Sequence, residues 1–419
     1  MIRTLKKQLY FFVASYFRFF AGIYLARWNP KIIVVTGSQG KTTLLHLLES
    51  QIGAQAVYSH QANSAFGIPF HILGLSRKTF GLGEWVQFVG LAPLRAFAPK
   101  RGEKLYVVEA DSDRPGEAEF IARLLLPSVT LWVSASRTHT MNFKTRRGDE
   151  TIETAVAHEF GWFAEYTGDL VVANGDVPEI VAELPRSHAR QITLEIHQYL
   201  DSFKVNEHST EFVIDGEKYT IPYLLPKAAA CSLAMTEIVC KELAVTIDPS
   251  FSRLKLPPGR SSIFAGVKGT MLIDSSYNAS LESMRAMLEL FADYPRKVKW
   301  IVLGDMLELG KQEVEEHQKL AGDIEELNPD RIVLVGPRLL ASTYPALSAS
   351  LQSKTTCFDS PADALVYLQK EIVGDEAILF KGARFLEGII EALLYTKEDA
   401  KLLPRREEVW QKRRKQWKL

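Results

Sequence analysis

Residues 32–50 read IIVVTGSQGKTTLLHLLES. Four consecutive apolar residues predict a buried strand over 32–35. Gly37 and Gly40 then mark a tight turn, and Lys41, Thr42 and Thr43 open a leucine-rich helix. A strand, a glycine turn and a Lys-Thr pair at a helix start form the arrangement in which backbone N–H groups and the helix dipole bind phosphate oxygens. Lys41 is expected to neutralise the β- and γ-phosphates of ATP and the Thr42 hydroxyl to ligate Mg²⁺. Gly37, Ser38, Gly40 and Thr43 complete the cradle. The spacing departs from the common G-x-x-x-x-G-K-[ST] loop, because Gly37 stands three residues before Gly40. The plain alternative is a chance glycine turn ahead of a helix.

Downstream, short apolar strands alternate with helical stretches, the pattern of an α/β protein with a mainly parallel sheet. Strands are expected at 32–35, 105–108, 129–133, 170–173, 271–273, 300–303, 331–335 and 377–380, and a helix at 228–243. The proline- and turn-rich stretch AVTIDPSFSRLKLPPGRSS (244–262) reads as a domain linker. A chain of 419 residues exceeds one ordinary core, so two or three domains are expected. Fifty basic and fifty acidic residues argue against a nucleic-acid wrapper. Three cysteines without metal-ligand spacing suit a reducing cytosol.

The N-terminal stretch LYFFVASYFRFFAGIYLA reads as an amphipathic helix, with Leu5, Leu9, Phe12, Tyr16, Phe19, Phe20 and Ile23 on one face and Arg3, Lys7 and Arg18 opposite. It lacks a small-residue cleavage site, so secretion is a poor reading. Two readings stay open: a helix packed on its own domain, or an interfacial membrane helix. The tail RREEVWQKRRKQWKL is basic and reads most simply as a solvated final helix.

TGSQGKTT resembles the TG-x-x-GKT loop of the Mur ligases, the ATP-dependent amide-forming enzymes of peptidoglycan precursor synthesis. The likeness extends over about residues 31–395 through NSAFGIPFHILGL (63–75), VVEADSDRPGEAEFIARLLLPSVTLWVSASRTH (107–139), IDSSYNASLESM (273–284), VLGDMLELG (302–310) and LFKGARFLE (379–387). The last three are most similar to the MurF branch, which adds D-alanyl-D-alanine. The resemblance implies a P-loop-type central ATPase domain with a mainly parallel sheet (30–252) and a C-terminal Rossmann-like α/β domain (253–419), after the helix at 1–29. It also implies activation of a carboxylate as an acyl phosphate, which an amine then attacks.

By resemblance Glu109, at a strand end, is a ligand of phosphate-bound Mg²⁺, and His139 a ligand of a second metal. Arg260 would swing onto the γ-phosphate, while Asp274 and Asn278 would meet the ribose and adenine of ATP. Lys381 and Arg384 would bind the carboxylate of the incoming dipeptide, and Asn63 and Ser64 would lie near substrate. His317 matches a family position with a structural role open. Taken singly, a strand-end glutamate is ordinarily a solvated residue, a lone histidine a structural one, and Asp274 a helix N-cap.

The departures concern the acceptor half. Only about thirty residues precede the loop where MurF has a UDP-gripping domain. Counting back from Asn174 puts His158 where the family carries a carbamylated lysine, and no lysine occurs from Arg146 to Phe203. PKAAAC replaces HNVxN, Ser275 replaces the second aspartate of DDSYNAN, and Ser64 and Ala65 replace Asn-Glu. The leading expectation is a cytoplasmic MurF-like ligase joining a cell-wall-precursor carboxylate to an amine. The alternatives are a ligase acting on a lipid-linked or polymeric carboxylate, peripheral on the membrane, and a non-catalytic nucleotide-binding scaffold.

Overall fold

The computed structural model describes residues 2–60, 62–77, 81–136, 143, 151–307, 309–383 and 385–415. They pack as two compact units, one of residues 1–199 with 231–247 and one of residues 200–230 with 248–419.

The first unit contains the sheet β2-β3-β1-β4-β5-β6. Its strands are β1 (Lys31–Thr36), β2 (Ala56–Tyr58), β3 (Leu105–Ala110), β4 (Val129–Trp132), β5 (Leu170–Asn174) and β6 (Arg190–Leu194). Every pairing is parallel. Its helices are α1 (Ile2–Trp28), α2 (Lys41–Ile52), α3 (Gly67–Leu73), α4 (Leu82–Ala96), α5 (Glu117–Leu125), α6 (Ile152–Glu165), α7 (Pro178–Glu183) and α8 (Ile196–Tyr199). The three central strands β3, β1 and β4 are continuous apolar runs because helices cover both faces of a parallel sheet. Val35 pairs with Glu109, and Thr36 with Ala110 and Trp132, so the glycine turn and the end of β3 emerge side by side.

The helix expected as a separate segment at 1–29 is part of this core. α1 packs on α3 and α4 through Phe17, Ala21, Tyr24, Leu25 and Trp28. Polar tips anchor it: the Tyr16 hydroxyl donates to Val89 O at 2.7 Å, Tyr24 to Pro99 O at 3.1 Å, and Trp28 Nε1 to Glu103 O at 2.7 Å. The expected apolar face is therefore divided, Tyr16, Phe20 and Ile23 packing against the core. Leu9, Phe12 and Phe19 are exposed, whereas Arg18 is half-buried with its guanidinium 4.6 Å from the Phe120 ring of α5.

The second unit opens with three antiparallel strands, β7 (Leu200–Val205), β8 (Thr210–Ile214) and β9 (Glu217–Ile221). Asp215 and Gly216 both have positive φ and close the two-residue β8–β9 hairpin. α9 (Ala229–Glu242) leads back into the first unit. The main sheet of the second unit runs β10-β11-β15-β12-β13-β14, parallel except for the β10–β11 pair. Its strands are β10 (Ser262–Ala265), β11 (Met271–Ser275), β12 (Lys299–Gly304), β13 (Arg331–Val335), β14 (Thr355–Phe358) and β15 (Ala377–Lys381).

Strand alternation divides this second core between two faces. Ile273, Ile301, Leu303, Ile332 and Leu334 pack with α10 (Leu281–Ala292) and α11 (Glu313–Leu327). Leu272, Val302, Val333, Ile378 and Phe380 pack with α13 (Pro361–Glu371) and α14 (Leu386–Leu393), α12 (Ala349–Ser353) lying between β13 and β14 in the chain. Phe251 and Leu254 bury the expected linker against this unit, Phe251 lying edge-on to Tyr219 of β9. The final helix α15 (Glu408–Lys415) is not simply solvated, since Arg414 is buried and donates to Glu391 Oε2 of α14 at 2.7 Å. Cys231, Cys240 and Cys357 are free thiols.

Candidate active site

The loop joining β1 to α2 requires glycine at both marked positions. Gly37 has φ 131°, and a Cβ there would stand 2.7 Å from Ser134 N and O. Gly40 has φ 79° at the start of α2, with Val133 Cγ1 3.0 Å from where a Cβ would be. The residues after β4 hold the loop in place. Ser38 N donates to Ser134 O at 3.2 Å, Gln39 N to Ser134 Oγ at 2.8 Å, and Ser136 N to Ser38 Oγ at 2.8 Å. The first N–H groups of α2 lack intrahelical acceptors, as at every helix start, and here they border a glycine cradle.

Lys41 is buried at 5% exposure. Its ammonium donates to Gly37 O and lies 2.9 Å from Asp111 Oδ2. Asp111 therefore supplies the anion that balances this buried cation, a partner that the loop sequence alone does not show. Thr42 Oγ1 donates to Glu109 Oε1 at 3.1 Å. The expected Mg²⁺ ligands Thr42 and Glu109 are thus adjacent across the β1–β3 seam. The Glu109 amide is tied in turn to Ser59 Oγ at 2.9 Å.

These residues suit ATP·Mg²⁺. The cradle has no room for a Cβ, a buried ammonium stands beside it, and a hydroxyl and a carboxylate converge as hard oxygen donors. His139, expected to hold a second metal, lies outside the described residues. So does Arg384.

The surrounding shell is built of buried carboxylates. Glu117, at the start of α5, accepts from Ala65 N at 3.0 Å and the Tyr10 hydroxyl at 2.8 Å. Burial raises its carboxyl above the ordinary range, and those two hydrogen bonds oppose the shift. Glu159 of α6 accepts from Ser112 Oγ at 3.0 Å and from Gly116 N and Ala118 N at 2.9 Å, so it caps α5 from another helix. His158, the neighbouring residue, turns to Glu183 of α7 at 3.2 Å, and its carbonyl accepts from Arg186 at 2.7 Å. The imidazole at the position where the resemblance expects a carbamylated lysine is thus engaged in an α6–α7 ion-pair network. Asn63 contributes its carbonyl to Asp111 N at 2.8 Å, and the Ser64 hydroxyl accepts from Gly67 N at 3.1 Å at the start of α3.

The second unit gathers a further set at the carboxyl ends of β11 and β15. Asp274 is fully buried and accepts from Ser276 N at 2.9 Å and Ser276 Oγ at 2.6 Å. Burial pushes its carboxyl above the usual carboxylate range. It stands at a strand end and not at a helix N-cap. Lys381 Nζ donates to Asn278 O at 3.2 Å. Burial, with Arg260 in the same direction and Asp274 opposing, lowers the Lys381 amine to about 7. The Arg260 guanidinium stacks 4.9 Å from the Tyr277 ring, and Arg405 donates to Tyr277 O at 2.7 Å. His317 is structural: its Nδ1 lies 2.7 Å from Glu313 O, its Nε2 accepts from Met306 N at 3.2 Å, and burial lowers its pKa.

Two family descriptions match the chain: Mur ligase middle domain over residues 35–226, and Mur ligase, glutamate ligase domain over residues 259–384. The chain belongs to the Mur ligase family. It is 25% identical over 388 residues to the UDP-N-acetylmuramoyl-tripeptide--D-alanyl-D-alanine ligase of Bacillus subtilis, covering 89% of this chain and 78% of that one. The Escherichia coli enzyme of the same name is 23% identical over 395 residues, with 88% and 79% covered. The crystal structure of MurF ligase from Thermotoga maritima in complex with ADP matches with a TM-score of 0.72 at 20% identity. It covers 96% of this chain and 84% of that one, and it shows the shared fold. Both Mur ligase matches begin after α1, so this helix lies outside them while its partners α3 and α4 lie within the first.

Proposed function

We propose that this Mur ligase joins a carboxylate of cell-wall-precursor type to an amine at the expense of ATP; its relatives are named as ligases of UDP-N-acetylmuramoyl-tripeptide and D-alanyl-D-alanine. The observation that carries the reading is the Thr42–Glu109 contact beside a buried, Asp111-paired Lys41 on a cradle that excludes a Cβ. ATP supplies the phosphoryl group that activates the carboxylate, and Mg²⁺ neutralises its phosphates. The chain's own part is positional. Lys41 brings a pre-placed charge from a site where little water reaches, and Thr42 and Glu109 set oxygen donors at a fixed separation. By resemblance Arg260, Asp274 and Asn278 are assigned to the nucleotide and Lys381 to an anionic group of the substrate. His139 and Arg384 are assigned to a second metal and to the incoming carboxylate. The nucleotide-binding part is assigned to 30–252 and the C-terminal part to 253–419, although residues 200–230 pack with the second compact unit.

The test is phosphate release from ATP with UDP-N-acetylmuramoyl-tripeptide and D-alanyl-D-alanine, then with a panel of other carboxylates and amines. Release that needs both substrates and vanishes in Lys41→Ala supports the ligase. ATP binding without acceptor-dependent release anywhere in the panel would replace it with the scaffold reading.

A finer reading concerns location. We propose a cytoplasmic enzyme with a peripheral membrane contact. α1 is long and apolar enough by composition to cross a membrane, yet one face is committed to the protein core. Its other face leaves Phe12 at 78% exposure, and Val86 and Leu94 of α4, with Phe97 just after it, are exposed as well. Exposed apolar side chains on a helix whose other face is buried suit shallow insertion at a lipid surface and not a span.

A further inference from the structure

α2 carries a second set of donor atoms that the nucleotide site does not use. His46 and Glu49, three residues apart, share one face of the helix. His60 follows β2 and approaches the same carboxylate. His46 Nδ1 lies 3.2 Å from Glu49 Oε2, and His60 Nε2 lies 3.1 Å from Glu49 Oε1. The two imidazoles stack with centroids 4.8 Å apart, and the Tyr58 ring stacks with His60 at 6.0 Å. One ligand atom from each of the three residues falls within 4.8 Å of the others, and this is the group of that kind found among the described residues.

We propose that His46, Glu49 and His60 form a binding site for a divalent transition metal of the zinc class. Two imidazoles and one carboxylate are an established donor set for Zn²⁺, with ligand distances near 2.0–2.2 Å and a fourth position open to water. The donor atoms are gathered within 4.8 Å of one another, and binding one ion requires the two stacked rings to turn their lone pairs toward it. Imidazole nitrogens favour Zn²⁺, Ni²⁺ or Cu²⁺ over Mg²⁺, so the site and the Thr42–Glu109 pair select different ions. Glu49 and His60 are each more than one-third exposed at the side chain, which leaves an entry path and room for water.

The site is separate from the phosphate cradle. His46 and Glu49 stand roughly 6 and 10 Å beyond Thr42 along the helix axis, at 1.5 Å per residue. A metal here would clasp α2 to the segment after β2, where Ser59 holds the Glu109 amide. Its consequence is therefore rigidity of the nucleotide loop's supporting helix.

The experiment titrates Co²⁺ into the full chain in excess Mg²⁺, following the visible ligand-field band of four-coordinate cobalt, and then displaces it with Zn²⁺. One equivalent is expected to bind. Outer-shell changes alone weaken metal sites by about 10–100-fold, so loss of a direct ligand in His60→Ala or His46→Ala should cost at least about 100-fold in affinity. His60 is the more exposed residue, so His60→Ala is the variant expected to keep its fold, judged by its melting curve in chelator. Glu109→Gln should leave the band unchanged. A band no stronger than in the His46→Ala/His60→Ala double variant, or one lost in Glu109→Gln, would overturn the proposal.

Discussion

Lys41 is charged and buried, and the structure shows which anion makes that tolerable. Asp111 stands 2.9 Å from it, the pair having side-chain exposures of 6% and 15%. Replacing Asp111 by Asn keeps the shape, and the Asn oxygen can still accept from Ser112 N, but the ammonium is stranded. Breaking a buried ion pair from one side costs about 3–5 kcal/mol. The carbonyls of Gly37 and Ser38 also accept from Lys41, so the low end, about 3 kcal/mol, is the better figure here. For a unit of roughly this size, about 2–4 °C per kcal/mol gives a fall of about 6–12 °C in the melting of the first unit. ATP·Mg²⁺ brings phosphate oxygens to the same ammonium. Nucleotide should therefore stabilise Asp111→Asn more than wild type, by an amount close to what the substitution removed. Differential scanning calorimetry with and without ATP·Mg²⁺ reads both quantities. An Asp111→Asn protein that melts like wild type, or gains no more from nucleotide, would refute the view that Asp111 holds the place of the phosphates.

Glu159→Gln keeps one oxygen to accept from Ser112 Oγ, Gly116 N and Ala118 N but sets its amide N–H against Gly116 N, where Oε2 now accepts at 2.9 Å, and it removes the charge from those bonds, so the first unit should lose about 1–3 kcal/mol in denaturant unfolding. His158→Ala loses only its contact with Glu183, so stability should fall by no more than about 1 kcal/mol and turnover should stay within twofold, as steady-state assays would show. Lys381, at about 7 when folded and near 10.4 unfolded, leaves the unfolded chain holding the extra proton between those values. Stability therefore rises with pH across that window, and wild type should gain about 1–2 kcal/mol on Lys381→Met between pH 7 and 9; parallel pH profiles would exclude a depressed amine. Phe12→Ser/Phe19→Ser should leave the melting temperature unchanged yet weaken co-sedimentation with anionic vesicles at least about tenfold, since each aromatic buried in lipid contributes about 1.5–3 kcal/mol.

Eight of the strands were legible because parallel strands covered on both faces are unbroken apolar runs. Those that escaped have other causes. β2 is three residues long, β6 (RQITL) is largely exposed at a sheet edge, and β10 and β14 are also edges. The β8–β9 hairpin did carry a signal, since TEFVI and EKYTI alternate around an Asp-Gly pair. The face that α1 buries was not legible. Its apolar residues run around the whole helix, so the choice of Phe17, Ala21 and Tyr24 over Leu9, Phe12 and Phe19 is made by α3 and α4. Helical periodicity identifies an amphipathic helix only when one side is clearly polar.

The candidate site divides in the same way between local and through-space information. The glycine turn and Lys41-Thr42 are consecutive, so their geometry follows from chain stereochemistry. Glu109 could be named because strand ends of a parallel sheet are where ligands collect, but its partnership with Thr42 depends on the β1–β3 register, which pairs Val35 with Glu109. Asp111, Ser59 and Glu159 had no local signature at all. The case of His158 shows why. Adjacent helix positions point about 100° apart, so counting back from Asn174 reached a residue facing Glu183, whereas the next one, Glu159, places a carboxylate on the segment that follows Asp111. The first unit thus fixes the segment that follows Asp111, the partner of Lys41, with carboxylates that accept from backbone N–H groups, and it does so from α5 and α6 without a lysine on α6.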